Sequence, residues 1–232
     1  EVLEQAIALE RDPAALFGAR DGARVTELLA EPLGDELDRG GGLRWGALLH
    51  DAAKPATRIE TAEGRIGFPG HDAAGAELAR EALTRLRASE RLRAHVAALA
   101  RHHLRAGFLV HERPLSRRAV YRYLAATGPV AADVTLLSIV DRLATRGRKA
   151  EESIANHLEV ARALLGEALG ARAAGPPPPL VRGDQLAAAL GVRPGPRIGE
   201  LLEAVEEARF AGEVSTPEEA IALARAELAA RE

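Results

Sequence analysis

The stretch LRWGALLHDAA, residues 43–53, is apolar on nearly every side and is followed directly by Lys54 and Pro55. This composition is typical of a buried helix, and the lysine–proline pair predicts that the helix ends there. His50 and Asp51 then fall in its last turn, where two adjacent side chains, about 100° apart on a helix, still reach one ion. Because an imidazole beside a carboxylate suits a divalent transition metal, we interpret the pair as two metal ligands.

A third ligand is expected from a distant helix. Asp141 lies in VTLLSIVDRLA, residues 134–144, an otherwise apolar helical pattern in which an unpaired carboxylate would be costly to bury. Either a metal ion or a neighbouring arginine, Arg142 or Arg146, must compensate it. The first alternative completes a chelate with open positions for water and phosphate.

Further imidazoles occur at the ends of two predicted helices. His71 begins the helical pattern of residues 71–88, and His102 and His103 end the pattern of residues 91–104. These side chains are candidate metal ligands, although a helix C-terminus also favours histidine through the helix dipole. Lys54 follows Asp51 by three residues, so it either forms an ordinary helix-end ion pair or holds a phosphate oxygen.

Composition predicts an all-α protein. Apolar residues make up 47% of the chain and aromatic residues only 3%, while alanine, leucine, arginine and glutamate dominate. The absence of cysteine excludes disulfides and thiolate metal sites and fits a cytoplasmic location. The sequence contains no run of about 18 consecutive apolar residues, the length that would indicate a membrane span.

The chain divides at AGPPPPL, residues 174–180, because four consecutive prolines enforce an extended segment. We predict a larger helical domain over residues 1–173, a proline-rich linker at 174–180 and a small C-terminal helical domain at 181–232. Helical patterns are predicted at 115–126, 130–146 and 149–169 before the linker and at 183–190, 196–209 and 217–230 after it, with a loop or hairpin at 56–70.

Charge is distributed unevenly along the chain. The net charge is −3, but residues 101–150 hold ten basic residues against three acids, and residues 151–232 hold eight against fourteen. The middle of the chain is therefore where an anion is expected to bind. The candidates for contacts with a phosphate backbone are Arg117, Arg118, Arg122, Arg146, Arg148 and Lys149, although a solvated helix face explains such charges equally well.

The ordered strings LLHDAAKP, GHDAAGAELAREALTRLR, ALARHHL and SIVDRLA resemble the HD superfamily of phosphohydrolases. Together with the region after the linker, they resemble the C-terminal half of bacterial tRNA nucleotidyltransferases of the CCA-adding and poly(A) polymerase family. This resemblance implies an RNA-binding-like role for the C-terminal domain.

The resemblance also implies roles for individual residues. His50, Asp51 and Asp141 match the metal-binding positions, His71 and His102 or His103 match positions that hold a second ion in binuclear relatives, and Lys54 matches the lysine of the HD motif. The family pattern begins with one more histidine, which we expect just upstream of Glu1. The strand-borne acids of nucleotidyl transfer are not recognisable here, so we do not expect nucleotide addition.

The sequence thus predicts a divalent-metal enzyme with Asp51 and Lys54 as catalytic residues and Mg, Mn, Fe, Co, Ni or Zn as the cofactor. The expected substrates are phosphomonoesters or 2′,3′-cyclic phosphates at the ends of RNA such as tRNA, or nucleotide phosphoesters. The alternatives are a non-catalytic tRNA-binding portion of a nucleotidyltransferase, whose catalytic domain lies outside this chain, and a regulatory nucleotide-binding HD domain.

Overall fold

A computed structural model describes residues 1–230, and the regular structure in this part is almost entirely helical, which confirms the predicted all-α class. Two short antiparallel hairpins are the only strands among the described residues: β1 (Pro32–Gly34) with β2 (Leu37–Asp38), and β3 (Ile59–Glu60) with β4 (Ile66–Gly67). The helices are α1 (Val2–Arg11), α2 (Pro13–Leu29), α3 (Arg39–Leu49), α4 (Lys54–Thr57), α5 (His71–Arg85), α6 (Glu90–His102), α7 (Arg105–Phe108), α8 (Arg117–Thr127), α9 (Ala131–Leu143), α10 (Ala150–Ala174), α11 (Gly183–Leu190), α12 (Pro196–Ala211) and α13 (Pro217–Ala229).

Helix α9 forms the centre of the larger core. All of its residues from Ala131 to Val140 are buried, and it packs against α1, α3, α6 and α10. Burial on all sides agrees with the mainly apolar composition of this run. Asp141 is the first residue of α9 beyond this buried run, so the helix delivers its carboxylate to the edge of the core.

The segment Arg117–Leu143 is long and apolar enough, by length and composition alone, to cross a membrane. It consists of two helices, α8 and α9, separated by a 3₁₀ turn at Gly128–Val130, and 67% of its most apolar window is buried inside the protein. Its apolar composition is accounted for by its place in the core.

The helix that precedes the His50–Asp51 pair differs from the prediction at both ends. It begins at Arg39 because Asp38 caps it, its Oδ1 accepting a hydrogen bond from the Gly41 amide at 2.8 Å. It ends at Leu49, so His50 is the C-cap and Asp51 lies in the following turn. Pro55 does not terminate this helix but occupies the first turn of α4, where a proline ring fits.

Helix α2 was not predicted from the sequence. It begins at Pro13, with Asp12 as its N-cap accepting from the Ala15 amide at 3.2 Å, so the Asp12–Pro13 pair ends α1 and starts the next helix. Gly18 (φ 73°, ψ 173°) interrupts α2 with a kink at a positive φ that favours glycine.

The three helices after the prolines have an apolar cluster of their own, centred on Leu186, Leu201 and Val205. Helix α13 begins with a capping box, in which Thr216 and Glu219 satisfy each other's backbone amides. Within residues 1–230, the main contact of these helices with the rest of the chain is that of α12 with α8. The proposed domain boundaries stay a prediction.

We expect His157 of α10 to weaken the fold in acid. Burial, followed by the proximity of Arg142, lowers the pKa of His157 to about 4, whereas an unfolded histidine has its ordinary value of 6.5. As the pH falls below 6.5, the unfolded chain takes up a proton that the folded chain refuses, so stability decreases by about 1.4 kcal/mol per pH unit until the pH reaches 4. His157→Gln removes this titration.

The free energy of unfolding, measured with urea at pH 7 and pH 4.5, is expected to fall by about 2 to 3 kcal/mol less in His157→Gln than in wild type. His111→Gln, at an exposed position, is the control and should behave like wild type. Equal losses in the wild type and the His157 variant would contradict the prediction.

Candidate metal centre

Three buried histidines from three different helices come together at one end of the larger core. His50 caps α3, His71 is the first residue of α5 and His103 caps α6. The Nδ1 atom of each ring lies within hydrogen-bonding distance of a backbone oxygen three residues earlier. These oxygens belong to Ala47, Phe68 and Ala100, at 3.1, 2.7 and 2.7 Å respectively.

These contacts decide which ring nitrogen is available. A carbonyl oxygen only accepts hydrogen bonds, so Nδ1 must carry the proton, and the Nε2 atom of each neutral ring presents a lone pair. Anchoring of the outer nitrogen by a carbonyl is also how metal-ligating histidines are commonly oriented.

The first group of candidate ligands consists of His50, Asp51 and Asp141. His50 Nε2 lies 3.3 Å from Asp51 Oδ2 and 3.6 Å from Asp141 Oδ1. One ligand atom from each residue lies within 4.8 Å of the others, so one cation fits among all three. The structure therefore brings together the three residues that the sequence placed in one chelate, although they are up to 91 positions apart.

The second group consists of Asp51, His71 and His103 and also fits within 4.8 Å. Asp51 Oδ1 lies 3.3 Å from His71 Nε2 and 3.6 Å from His103 Nε2. The two oxygens of Asp51 thus face different groups, so this one carboxylate is positioned to bridge two cations, as in two-metal phosphoesterase sites.

The residues present fit a divalent metal. His50 Nε2 and Asp51 Oδ1 are buried, and within residues 1–230 neither atom has a partner in good hydrogen-bond geometry, so both can serve a cation. His71 Nε2 and His103 Nε2 approach to 3.2 Å, and with both Nδ1 protons facing carbonyls neither neutral ring has a proton for this contact. Nitrogen and carboxylate donors suit Mn, Fe, Co, Ni and Zn, and the carboxylates suit Mg.

The carboxylates of Asp141 and Asp51 raise the pKa of His50. Burial by itself would lower the pKa of His50, but Asp141 and Asp51 outweigh it and raise the value to about 9. Burial likewise opposes ionisation of Asp51, yet His50 and Lys54 hold the pKa of its carboxyl below its usual range. Without metal, His50 is therefore protonated at neutral pH, and a metal ion must displace that proton.

Two glycines allow the close packing that assembles the centre. Gly70 precedes His71 in a left-handed conformation (φ 72°), which turns the chain from the β3–β4 hairpin into α5. A Cβ atom at Gly75 would lie 3.2 Å from the backbone oxygen of His50, so its absence lets α5 pack directly on the turn that carries Asp51.

Lys54 lies at the edge of the centre. Its Nζ atom is 2.6 Å from Asp51 Oδ2, so the ion pair considered from the sequence is present. The same atom lies 5.6 Å from the centroid of the Phe68 ring, within the range of a cation–π contact. Phe68, which also anchors His71 through its backbone oxygen, was not identified from the sequence.

The alternative partners of Asp141 are engaged elsewhere. Arg142 Nη1 donates to Ser153 Oγ at 3.0 Å, and Arg146 contacts backbone oxygens of its own loop. Within residues 1–230, neither arginine forms an ion pair with Asp141. His50 is the neighbour that lowers the pKa of the Asp141 carboxyl against the opposing effect of burial.

His102 does not join either group of ligands. Its ring projects away from that of His103 because successive helical residues point about 100° apart, and its Nδ1 accepts a hydrogen bond from Arg105 Nε at 2.9 Å. The structure thus places His103, and not His102, beside the other candidate ligands.

The six arginine and lysine residues proposed for RNA contacts form two separate sets. Arg146, Arg148 and Lys149 line one open cleft of about 740 Å³ directly after α9. The other set lies on α8, and each of its arginines pairs with acidic residues distant in sequence, so their charges are partly neutralised. The pairs are Arg117 with Glu167, Arg118 with Glu207 and Glu213, and Arg122 with Glu207.

A family model described as the HD domain matches residues 23–146, which is more than half of the chain and contains both groups of ligands. The chain belongs to the HD domain family. The resemblance seen in the sequence is thereby confirmed, and the metal-binding chemistry of HD domains agrees with the two groups of histidine and aspartate side chains.

Similar proteins include two bacterial enzymes. The chain is 39% identical over 181 residues to the A-adding tRNA nucleotidyltransferase of Deinococcus radiodurans, which covers 77% of this HD-domain chain and 40% of that protein. It is 37% identical over 180 residues to the CC-adding tRNA nucleotidyltransferase of Thermus thermophilus, which covers 76% of the chain and 38% of that protein. The HD-domain chain therefore spans about two fifths of the length of these relatives.

Proposed function

We propose that the chain is a metal-dependent phosphohydrolase that acts on phosphomonoesters or 2′,3′-cyclic phosphates at RNA ends. The observation that carries the proposal is the position of Asp51, one carboxylate that faces His50 on one side and the pair His71 and His103 on the other. Asp51 also pairs with Lys54, but a carboxylate whose two oxygens face two sets of ligands suits hydrolysis of a phosphoester at two adjacent cations.

The residues around the centre have complementary roles in this proposal. A divalent ion held by them supplies Lewis acidity to a phosphoryl oxygen and lowers the pKa of a bound water. Asp51 and Asp141 offset the positive charge, and the anchored histidines keep the ligand geometry rigid. Lys54, held beside Asp51, donates to a phosphate oxygen and neutralises the charge that develops in the transition state.

An RNA substrate is supported by two observations. The cleft lined by Arg146, Arg148 and Lys149 begins four residues after Asp141. These three positively charged side chains can neutralise the backbone phosphates of an RNA whose end lies at the metal centre. The similar enzymes of Deinococcus and Thermus are both named for the addition of nucleotides to tRNA.

The experiment is a phosphatase assay with controlled metal content. The purified protein is stripped with EDTA, reloaded separately with Mg, Mn, Co, Ni or Zn, and assayed on p-nitrophenyl phosphate, bis-p-nitrophenyl phosphate and 2′,3′-cyclic AMP. We expect hydrolysis that depends on the added metal. Asp141→Ala, which removes a ligand of the first group, should lose at least about a hundredfold in kcat/KM, equivalent to about 3 kcal/mol.

The matched control is Glu77→Ala, which removes an exposed carboxylate from α5 and should match wild type. Circular dichroism establishes that both variants are folded. Hydrolysis that is equal in Asp141→Ala and Glu77→Ala would show that the observed turnover does not arise at this centre.

A second candidate function is a tRNA-binding portion of a longer nucleotidyltransferase without hydrolytic activity of its own. The similarity to the A-adding and CC-adding enzymes, of which the chain spans about two fifths, favours it. Binding of tRNA without turnover of any of the three phosphoesters, under every metal tested, would support this function over the first.

A further inference from the structure

A cleft of about 190 Å³ lies beside α7 and is lined in part by Arg105, Phe108, Glu112 and Arg122. Helix α7 begins two residues after His103, so the cleft adjoins the end of the helix that supplies a ligand to the second group. None of these four residues belongs to the metal centre.

One side of this cleft is formed by Phe108, an aromatic residue that is strongly exposed. Its side chain is 69% exposed, the highest value among the exposed large apolar residues of the described chain. Only four phenylalanines occur in the protein, and this one contributes little to either core. An exposed aromatic face beside positive charge is the usual platform on which bases of single-stranded nucleic acids stack.

The charges in the cleft are arranged around this ring. Arg105 donates its Nε hydrogen to His102 and forms no ion pair with a carboxylate within residues 1–230, so its guanidinium retains donors for an anion. Arg122 is 68% exposed although one of its edges meets Glu207. Glu112 adds a carboxylate, which accepts a hydrogen bond from the exocyclic amine of a base.

We propose that this cleft binds a nucleobase of single-stranded RNA, stacked on Phe108, with the adjacent phosphate on Arg105. The acceptor at Glu112 favours a base that bears an amino group, such as adenine, over uracil. Because α7 begins two residues after His103, the proposed role of the cleft is that of a subsite for nucleotides near an RNA end at the metal centre. The choice of RNA rests on the proposed function.

The test is equilibrium binding of a short fluorescein-labelled oligoadenylate, followed by fluorescence anisotropy in EDTA at two salt concentrations. Loss of one stacked base predicts that Phe108→Ala binds roughly 5- to 100-fold more weakly, while Phe108→Trp retains binding. Arg105→Gln should weaken binding and reduce the salt dependence by about one phosphate contact.

The matched control is Leu86→Ala, because Leu86 is 62% exposed and lies outside this cleft. Affinity of Phe108→Ala equal to that of Leu86→Ala overturns the proposal, and so does a wild-type protein that does not bind the oligoadenylate. Binding is measured without metal and without turnover. A failure of the hydrolase proposal therefore leaves this result intact, and loss of the stacking site leaves metal-dependent cleavage of p-nitrophenyl phosphate intact.

Discussion

Replacing Asp51 with alanine is expected to remove bound metal from both groups of ligands and to lower phosphoester hydrolysis by on the order of 10³-fold. Its two oxygens lie 3.3 Å from His50 Nε2 and 3.3 Å from His71 Nε2, so no other side chain of the centre serves both groups. Loss of Lewis-acid stabilisation costs several kcal/mol, which corresponds to this rate. Metal content measured by mass spectrometry and kcat/KM on p-nitrophenyl phosphate check the two effects.

His71→Ala is the informative companion. It removes a ligand from the second group only, and the first group of His50, Asp51 and Asp141 keeps all its members. We expect His71→Ala to bind about one metal equivalent per chain fewer than wild type, and Asp51→Ala to bind none. Asp51→Asn, which keeps the shape of the side chain but not its charge, separates the loss of ligation from a packing defect.

If Asp51 bridges the two groups, Asp51→Ala must bind fewer metal ions than His71→Ala. If Asp51→Ala and His71→Ala bind the same number of metal ions, the two groups do not share a carboxylate in solution. Undiminished metal binding in Asp51→Ala would remove the basis for the two-cation arrangement altogether.

The sequence was informative where local chemistry determines structure. Four prolines end α10 whatever lies around them, and the capping box at Thr216 and Glu219 forms within a few residues. Asp141 was also identifiable, because a carboxylate inside an otherwise apolar helical pattern has few explanations. The chelate was predicted from three such local signals and the resemblance of their order to the HD family.

What the sequence did not supply depends on distant partners. The choice between His102 and His103 follows from the rotation of α6 against α5, which no local pattern specifies. The basic face of α8 is neutralised by Glu207 and Glu213, 85 and 95 positions away from their partners. Local charge counts describe which charges exist, but tertiary packing decides which of them remain available to a ligand.

Arg39 and Asp133 also pair across a long stretch of sequence, and we expect the loss of this pair to destabilise the fold strongly. Asp133 is completely buried in α9, and Arg39, the first residue of α3, bonds both of its oxygens. Arg39 also donates to the Pro129 backbone oxygen at 3.2 Å. Arg39→Leu leaves the Asp133 carboxylate buried without its cation, so we expect a loss of about 3 to 5 kcal/mol in the free energy of unfolding.

Urea unfolding at pH 7 measures this loss against a matched arginine in the same helix. Arg44 also forms an ion pair, with Glu10, but its side chain is 42% exposed, so Arg44→Leu should cost no more than about 1 kcal/mol. The double variant Arg39→Leu/Asp133→Leu removes both buried charges and should recover much of the loss, because the cost comes from an unpaired charge rather than from a missing attraction. Equal stability of Arg39→Leu and Arg44→Leu would mean that water or a neighbouring proton already compensates Asp133. The contact between α3 and α9 would then rest on apolar packing alone.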